Sequence, residues 1–205
     1  MDYQLNITID PVGLNMIYGA NLAVVMVRSW ESDPDSPLTI AWQMFQPLEM
    51  NQIDWSDSYQ VYATNTQPLI GAQIEMMATA PAQLGWSYTY ADGQFTGSAG
   101  GSDPQGVEIT NQQDPELGLG LVQAASVNNV QVEFPTSFLR VLGGESATIT
   151  PYETITIFVA PMTNSGSVIQ SPPPNALMVE FSPQSPTAQI GFNDATNSFY
   201  LQQPS

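Results

Sequence analysis

The sequence contains no cysteine, no histidine and no lysine, and these three absences exclude most catalytic chemistry. Without cysteine there are no disulfides, no thiol nucleophiles and no thiolate metal sites. Without histidine there is no Ser–His–Asp triad, and the commonest zinc and copper ligand is missing. Without lysine there is neither a Schiff base nor a phosphate-loop lysine. The sequence therefore predicts a protein that is not an enzyme.

Charge is scarce and almost entirely negative. The 205 residues include 19 acids and only two bases, Arg28 and Arg140, and the formal net charge is -17. Because binding to phosphate backbones depends on Lys and Arg, this composition excludes nucleic acid as a partner. It also excludes electrostatic attachment to anionic lipids. With nucleic acid and anionic lipids excluded, we expect the partner to present a neutral surface.

Long apolar runs are also missing. The longest, Leu22–Val27, is too short to span a bilayer, so no transmembrane segment is predicted. The first residues lack a basic region followed by an apolar stretch, so no signal peptide is predicted either. The expected location is the cytoplasm, or the exterior after release by a non-classical route. A leader that has already been removed would leave an extracellular location open.

What the sequence does contain is apolar and polar residues in alternation, broken by Pro, Gly, Asn and Asp. About a dozen such segments follow one another, and this period of two is typical of half-buried strands. The pattern predicts an all-β protein: one antiparallel β-sandwich domain over residues 1–205, jelly-roll or immunoglobulin-like, with a barrel as the second choice. Little helix is expected beyond one turn at Thr136–Leu142, because helical apolar spacing never persists for three turns.

Several segments carry more local expectations. Asn21–Trp30 is predicted to be a central strand that is buried on both faces. Asp92–Gly93 predicts a tight hairpin turn, because both residue types tolerate positive φ angles. Asp10–Gly13 predicts a turn that ends the first strand. Residues 97–106 are expected to form a mobile Gly/Ser loop, and residues 171–175 a stiff Pro-rich connector inside the domain.

Two groups of aromatic residues are candidate ligand contacts. Trp86, Tyr88 and Tyr90 alternate along one predicted strand and therefore share a face. Tyr and Trp rings suit the apolar faces of sugars and the interfacial zone of lipids. A buried core stripe would show the same pattern, and this alternative stays open. The second group surrounds another predicted strand and comprises Trp55, Tyr59 and Tyr62.

Carboxylates are the remaining chemical groups, and calcium is the metal that suits them because it prefers oxygen ligands. The candidate ligands are Asp33, Asp35, Asp54 and Asp57. None belongs to an EF-hand loop, and no other cofactor is predicted. The pairs Asp54 with Asp57 and Glu31 with Asp33 would also suit a glycosidase, which can work with two carboxylates alone. A solvated loop is the alternative interpretation of both pairs.

These features predict a non-enzymatic protein that binds a neutral surface, either a glycan or a zwitterionic lipid headgroup. In composition the chain resembles small acidic, cysteine-free lectins and cytolysins, which implies a lectin-like or cytolysin-like role. The alternative is a structural protein that self-assembles into filaments, lattices or inclusions, because polar β edges can pair between molecules. A homo-oligomer would suit either function. A glycosidase that uses only carboxylates is the third hypothesis.

Overall fold

In a computed structural model, which describes residues 1–33 and 38–202, the chain folds mainly into β-strands. These residues form two large sheets, a two-stranded ribbon and one helix, α1 (Pro11–Gly19). The all-β class predicted from the alternating pattern is therefore confirmed. No helix in this part of the chain is long and apolar enough to cross a bilayer.

The first sheet, which we call sheet A, has eight strands. They are β1 (Asp2–Thr8), β5 (Met50–Thr64), β6 (Ala78–Ala82), β10 (Leu117–Val127), β11 (Val130–Pro135), β12 (Leu139–Val141), β16 (Thr187–Asn193) and β17 (Ser198–Leu201). The main path runs β11–β10–β5–β1–β16–β17, with β6 beside β5 and β12 beside β10. β1 and β16 pair in parallel, unlike the antiparallel neighbours around them.

The second sheet, sheet B, has seven strands. They are β2 (Leu22–Asp33), β4 (Gln43–Phe45), β7 (Trp86–Ala91), β8 (Gln94–Ala99), β9 (Val107–Asn111), β13 (Ser146–Pro161) and β15 (Leu177–Glu180). The path runs β4–β2–β13–β9–β7–β8, with β15 beside β13. Here β7 and β9 pair in parallel. The ribbon consists of β3 (Thr39–Ala41) and β14 (Ser167–Ile169).

Both sheets contribute side chains to each of two hydrophobic cores. The first core joins Leu5 of β1 and Ile53 of β5 to Ile157 of β13. The second core joins Leu119 of β10 to Ile149 of β13, together with residues of β7, β9 and β12. The long strands β5, β10 and β13 contribute residues to both cores and so connect them.

β5 and β13 each bulge where one core gives way to the other. In β5, residues 56–58 stand opposite the single residue Ala124 of β10. In β13, residues 152–154 stand opposite the single residue Ser29 of β2. Because bulges bend a strand and increase its twist, each strand can change direction at this junction.

A buried ion pair lies at the junction. Arg28 of β2 is only 2% exposed, and its Nη2 lies 2.8 Å from Oε2 of Glu153, the middle residue of the β13 bulge. Tyr59 Oη donates to Glu153 Oε1 at 2.6 Å, and Trp55 Nε1 donates to Oε2 at 3.1 Å. The guanidinium carbon of Arg28 lies 5.4 Å from the ring centroid of Trp42, within cation–π range. We call these five residues the junction cluster.

Two of the local predictions are confirmed. Within Asn21–Trp30, residues 23–27 are buried; Val24 and Met26 face the first core, and Val25 and Val27 face the opposite side of sheet B. The hairpin turn between β7 and β8 has φ angles of 49° at Asp92 and 80° at Gly93. Positive φ at both central residues is the geometry expected of this dipeptide.

The predictions at Asp10–Gly13 and Thr136–Leu142 are wrong. Asp10–Gly13 does not form a turn but starts helix α1, where the Asp10 carboxylate accepts a hydrogen bond from the Gly13 amide at 2.7 Å. An Asp cap followed by Pro in the first turn is a typical helix start. Thr136–Leu142 contains no turn of helix, because residues 139–141 form β12, which pairs with β10.

The predicted loop at residues 97–106 is shorter than expected, because residues 97–99 belong to β8. Gly97 pairs with Tyr88, and a Cβ atom at Gly97 would lie 2.6 Å from Cε1 of that ring. Glycine here makes room for an aromatic ring. The mobility of residues 100–106 stays a prediction, as does the stiffness of residues 171–175, which connect β14 to β15.

The junction pair can be tested by removing its cation. Arg28→Met keeps an unbranched, though shorter, side chain and leaves the carboxylate of Glu153 without a counter-charge. Breaking a buried pair costs ~3–5 kcal/mol, and we expect about 3 kcal/mol because Glu153 keeps some solvent contact. Adding Glu153→Gln should recover part of the loss. Urea denaturation at pH 7 measures each free energy of unfolding.

Arg140 supplies the matched control, because it pairs with Glu116 at the surface. Arg140→Met should cost less than about 1 kcal/mol, the usual contribution of an exposed ion pair. Equal losses for the two arginine variants would contradict a structural role for the junction pair.

Two buried tyrosines should make the protein sensitive to alkali. Burial raises the pKa of Tyr59 and of Tyr62 above the ordinary value of 10.0. The Glu153 carboxylate raises the pKa of Tyr59 further, and Arg28 opposes that effect. Tyr62 is fully buried, and its hydroxyl donates to the carbonyl oxygen of Ser137 at 2.8 Å.

Since the folded pKa values exceed the unfolded ones, the stability that these neutral phenols contribute is complete below about pH 10 and is lost as the pH rises further. We expect both phenols to ionise in one step with unfolding, measured by phenolate absorbance alongside circular dichroism. Tyr62→Phe should reduce the absorbance change of that step, whereas Tyr200→Phe, at an exposed residue outside both cores, should leave the step unchanged. Ionisation of the two buried phenols before unfolding would contradict this assignment.

Candidate functional site

The first group of predicted aromatic contacts faces the second core. Trp86, Tyr88 and Tyr90 do share a face of β7, as the alternation predicts. Tyr88 and Tyr90 are buried in the second core, and Trp86 is partly buried against it. The Tyr90 ring also lies 4.9 Å from the Phe95 ring on β8. The core-stripe interpretation is the one that agrees with this burial.

The second group is brought together only in part. Trp55 and Tyr59 both donate to Glu153 within the junction cluster. Tyr62 points to the other side of sheet A, where it packs with Val122 in a separate small cluster. All three aromatic rings are buried, so they contribute to packing and to the junction instead of offering an open platform.

The candidate calcium ligands are dispersed. Asp57 pairs with the N-terminal amine of Met1, and Asp54 lies among amide side chains. Asp33 ends β2, and Asp35 lies outside the described residues. Within residues 1–33 and 38–202, no group of three acidic side chains is placed to hold a metal ion.

The outer face of sheet A, the side away from the first core, carries a row of polar side chains across five strands. Register aligns Thr187 of β16 with Gln4 of β1, and Gln4 with Asp54 of β5. Asp54 pairs in turn with Ser126 of β10, and Ser126 with Gln131 of β11. Paired residues project from the same face of a sheet, so these five side chains form one line. We call them the polar row.

Amide side chains hold Asp54 at the centre of this row. Gln4 Nε2 donates to Asp54 Oδ1 at 2.9 Å, and Gln52 Nε2 donates to Oδ2 at 2.8 Å. Asn6 Nδ2 donates to Gln4 Oε1 at 3.1 Å, which extends the ladder. Each primary amide has two N–H donors, and the ladder uses one from each. Donors therefore remain for a ligand beside an oriented carboxylate.

An open depression of about 400 Å³ lies over the polar row. All five residues of the row line it, and Asp2 and Ser56 add further oxygen atoms. Ala124 and Pro186 add small apolar surfaces. Ser56 belongs to the β5 bulge, so the same irregularity that joins the two cores borders this depression. The volume falls within the range of roughly 300–1,000 Å³ that is common for small-molecule sites.

An exposed aromatic ring lies on the same outer face. Tyr200 of β17 pairs with Gly191 of β16, and a Cβ atom at Gly191 would lie 2.5 Å from Cζ of the ring. The ring therefore covers the glycine, yet 47% of the residue remains exposed. The aromatic residues singled out from the sequence did not include Tyr200, although its alternation with the buried Phe199 places it on the outer face.

The depression offers hydrogen-bond donors and acceptors and one fixed carboxylate, and no arginine lines it. Chemically, it can bind hydroxyl groups and will repel anions. No protein-family model, curated protein sequence or solved structure matches the chain.

Proposed function

We propose that this protein is a non-enzymatic binding protein and that the polar row recognises a neutral glycan. The observation that carries the proposal is the cation-free row centred on Asp54, whose carboxylate is oriented by Gln4 and Gln52. Sugar hydroxyls both donate and accept hydrogen bonds, and a carboxylate is their strongest acceptor in a protein. Tyr200 lies outside the depression, at a sheet position four residues beyond Thr187 on the same outer face, and supplies a ring on which the apolar face of a further sugar unit can stack.

Charge favours a neutral glycan over the other partners considered. The net charge of -17 opposes binding of sialylated or sulfated glycans. A zwitterionic lipid headgroup contains a phosphate, which proteins usually hold with Arg or Lys. Both arginines already have carboxylate partners, Arg28 with Glu153 and Arg140 with Glu116. A neutral sugar needs neither cation.

A glycan array that carries neutral, sialylated and sulfated sugars tests the proposal at pH 7. We expect binding to members of the neutral set only. Asp54→Asn keeps the shape of the side chain but removes its charge, and hydrogen bonds to charged groups contribute ~1.5–3 kcal/mol. Affinity for the best glycan should therefore fall at least about tenfold, measured by calorimetry.

Asp114→Asn provides the control for this variant. It makes the same charge change at an exposed residue outside the depression, so it should leave affinity unchanged. Equal losses for Asp54→Asn and Asp114→Asn, or binding restricted to anionic glycans, would contradict the proposed site.

One observation favours self-assembly as a second candidate function. β8 is an edge strand of sheet B in the described residues, and none of its six residues is charged or proline. Charged residues and proline are the usual means by which edge strands avoid pairing with other molecules. The net charge of -17 opposes association at neutral pH and disappears near the pI of about 4.1.

Self-assembly through β8 therefore predicts a dimer or larger species near pH 4 and a monomer at pH 7. Light scattering coupled to size-exclusion chromatography measures the mass in each condition. Thr96→Lys places a cation in the middle of the edge and should restore the monomer at pH 4. Thr196→Lys adds the same charge in an exposed turn and should not. A monomer at both values of pH would remove this second candidate.

A further inference from the structure

The outer face of sheet B is apolar where β2 and β13 lie side by side. Val25 and Val27 of β2 and Phe158 of β13 are buried on the side opposite the first core. Antiparallel sheets commonly expose a polar outer face to water, so an apolar outer face needs a cover. Here the ribbon supplies part of that cover through Ala41 of β3 and Ile169 of β14.

The cover is incomplete, and a cleft of about 440 Å³ remains. Its walls include Val25, Met44, Phe158, Ala160 and Ile169. None of the residues that line it is charged, although the chain as a whole has 21 charged residues, 19 acids and two bases. A mainly apolar cleft of this volume has the character of a small-molecule site.

The mouth of the cleft carries an apolar side chain that is exposed to solvent. Ile70 lines the cleft and is 69% exposed, and its chain neighbour Leu69 is 70% exposed. Thr163, Gln170 and Ser171 also contribute to the lining and bring hydrogen-bonding groups to an otherwise apolar site. The lining thus suits a ligand that is mostly apolar and carries a polar group at one point.

Charge complementarity selects the class of ligand. A carboxylate or phosphate head would require a cation, and the described cations all have carboxylate partners. Arg28 pairs with Glu153, Arg140 with Glu116, and the N-terminal amine with Asp57. The overall negative charge adds a further penalty for an anion.

We propose that this cleft binds a small neutral apolar molecule with a single hydroxyl or carbonyl group, the class represented by medium-chain alcohols. The cleft shares no lining residue with the depression over the polar row. Binding of this class is therefore independent of glycan recognition, and either activity can fail without the other.

Competition between two ligands of equal chain length tests the proposal on the whole protein. The neutral dye Nile red should bind and gain fluorescence, and 1-decanol should displace it at pH 7. Decanoate has the same chain but an anionic head, and it should need at least tenfold higher concentration. Equal displacement by the two ligands would overturn the charge argument.

Two substitutions test whether the ligand binds in the cleft. Ala160→Phe fills the space beside Phe158 and should weaken Nile red binding at least tenfold, whereas Ala195→Phe, in an exposed turn, should have no effect. If Ala160→Phe proves unstable in thermal unfolding, a change at an exposed residue should still preserve the fold, and Ile70→Ser serves instead. It should weaken binding at least about fourfold, because several methylene-sized groups of apolar contact are lost. If either of these two cleft variants is folded and binds Nile red with unchanged affinity, the ligand does not lie in the cleft and the proposal is overturned.

Two further outcomes would assign the cleft to another occupant and overturn the proposal. The first is flotation of the protein with phosphatidylcholine vesicles together with no displacement of Nile red by 1-decanol. The second is a dimer in light scattering whose formation blocks Nile red.

Discussion

Arg28 and Glu153 form the interaction on which the arrangement of the two cores depends. A buried guanidinium loses its hydration, a loss of several kcal/mol that only a well-placed carboxylate offsets. Glu153 is brought to Arg28 by three residues of β13 that stand opposite the single residue Ser29. Trp55 and Tyr59, which flank the matching bulge in β5, donate to the same carboxylate. One ion pair therefore links β2 to the bulges of β5 and β13, and with them the two cores that meet there.

The same pairing determines what the surface can recognise. With Arg28 buried at the junction and Arg140 held by Glu116, the described surface has no basic side chain without a carboxylate partner. Both proposed sites are consequences of this scarcity: the polar row orients Asp54 with amides in place of a cation, and the cleft in sheet B has an uncharged lining. The selectivity for neutral ligands that we propose follows from the small number of cations in the chain and from their pairing with carboxylates.

Alternation of side chains was sufficient to predict the class of fold, because it depends only on neighbouring residues. A continuous apolar run identified the strand at Asn21–Trp30, and the Asp–Gly dipeptide identified the hairpin at Asp92–Gly93. Alternation does not continue along the whole of β5, however, because the bulge at residues 56–58 interrupts the period within this single strand. The polar row could be predicted only in part: alternation places Gln4 opposite in direction to Leu5, but the register that aligns it with Asp54 and Ser126 is a tertiary property.

The predicted aromatic contacts show why the position of a Tyr or Trp in a strand does not decide whether its ring packs in a core or meets a ligand. A Tyr or Trp in a strand can cover a core or face a ligand, and the residue opposite it on the next strand decides how closely the ring can lie. Tyr88 lies over Gly97, and Tyr62 lies over Gly120, with Cβ positions of those glycines 2.6 and 2.5 Å from the rings. These pairs bury their rings where the sheets or the ribbon cover them. Tyr200 lies over Gly191 in the same way, but on a part of the outer face of sheet A where no described residue covers the ring, and 47% of the residue is exposed. It is therefore the cover over the sheet, and not the aromatic residue or its glycine, that separates a packing ring from one that can meet a sugar.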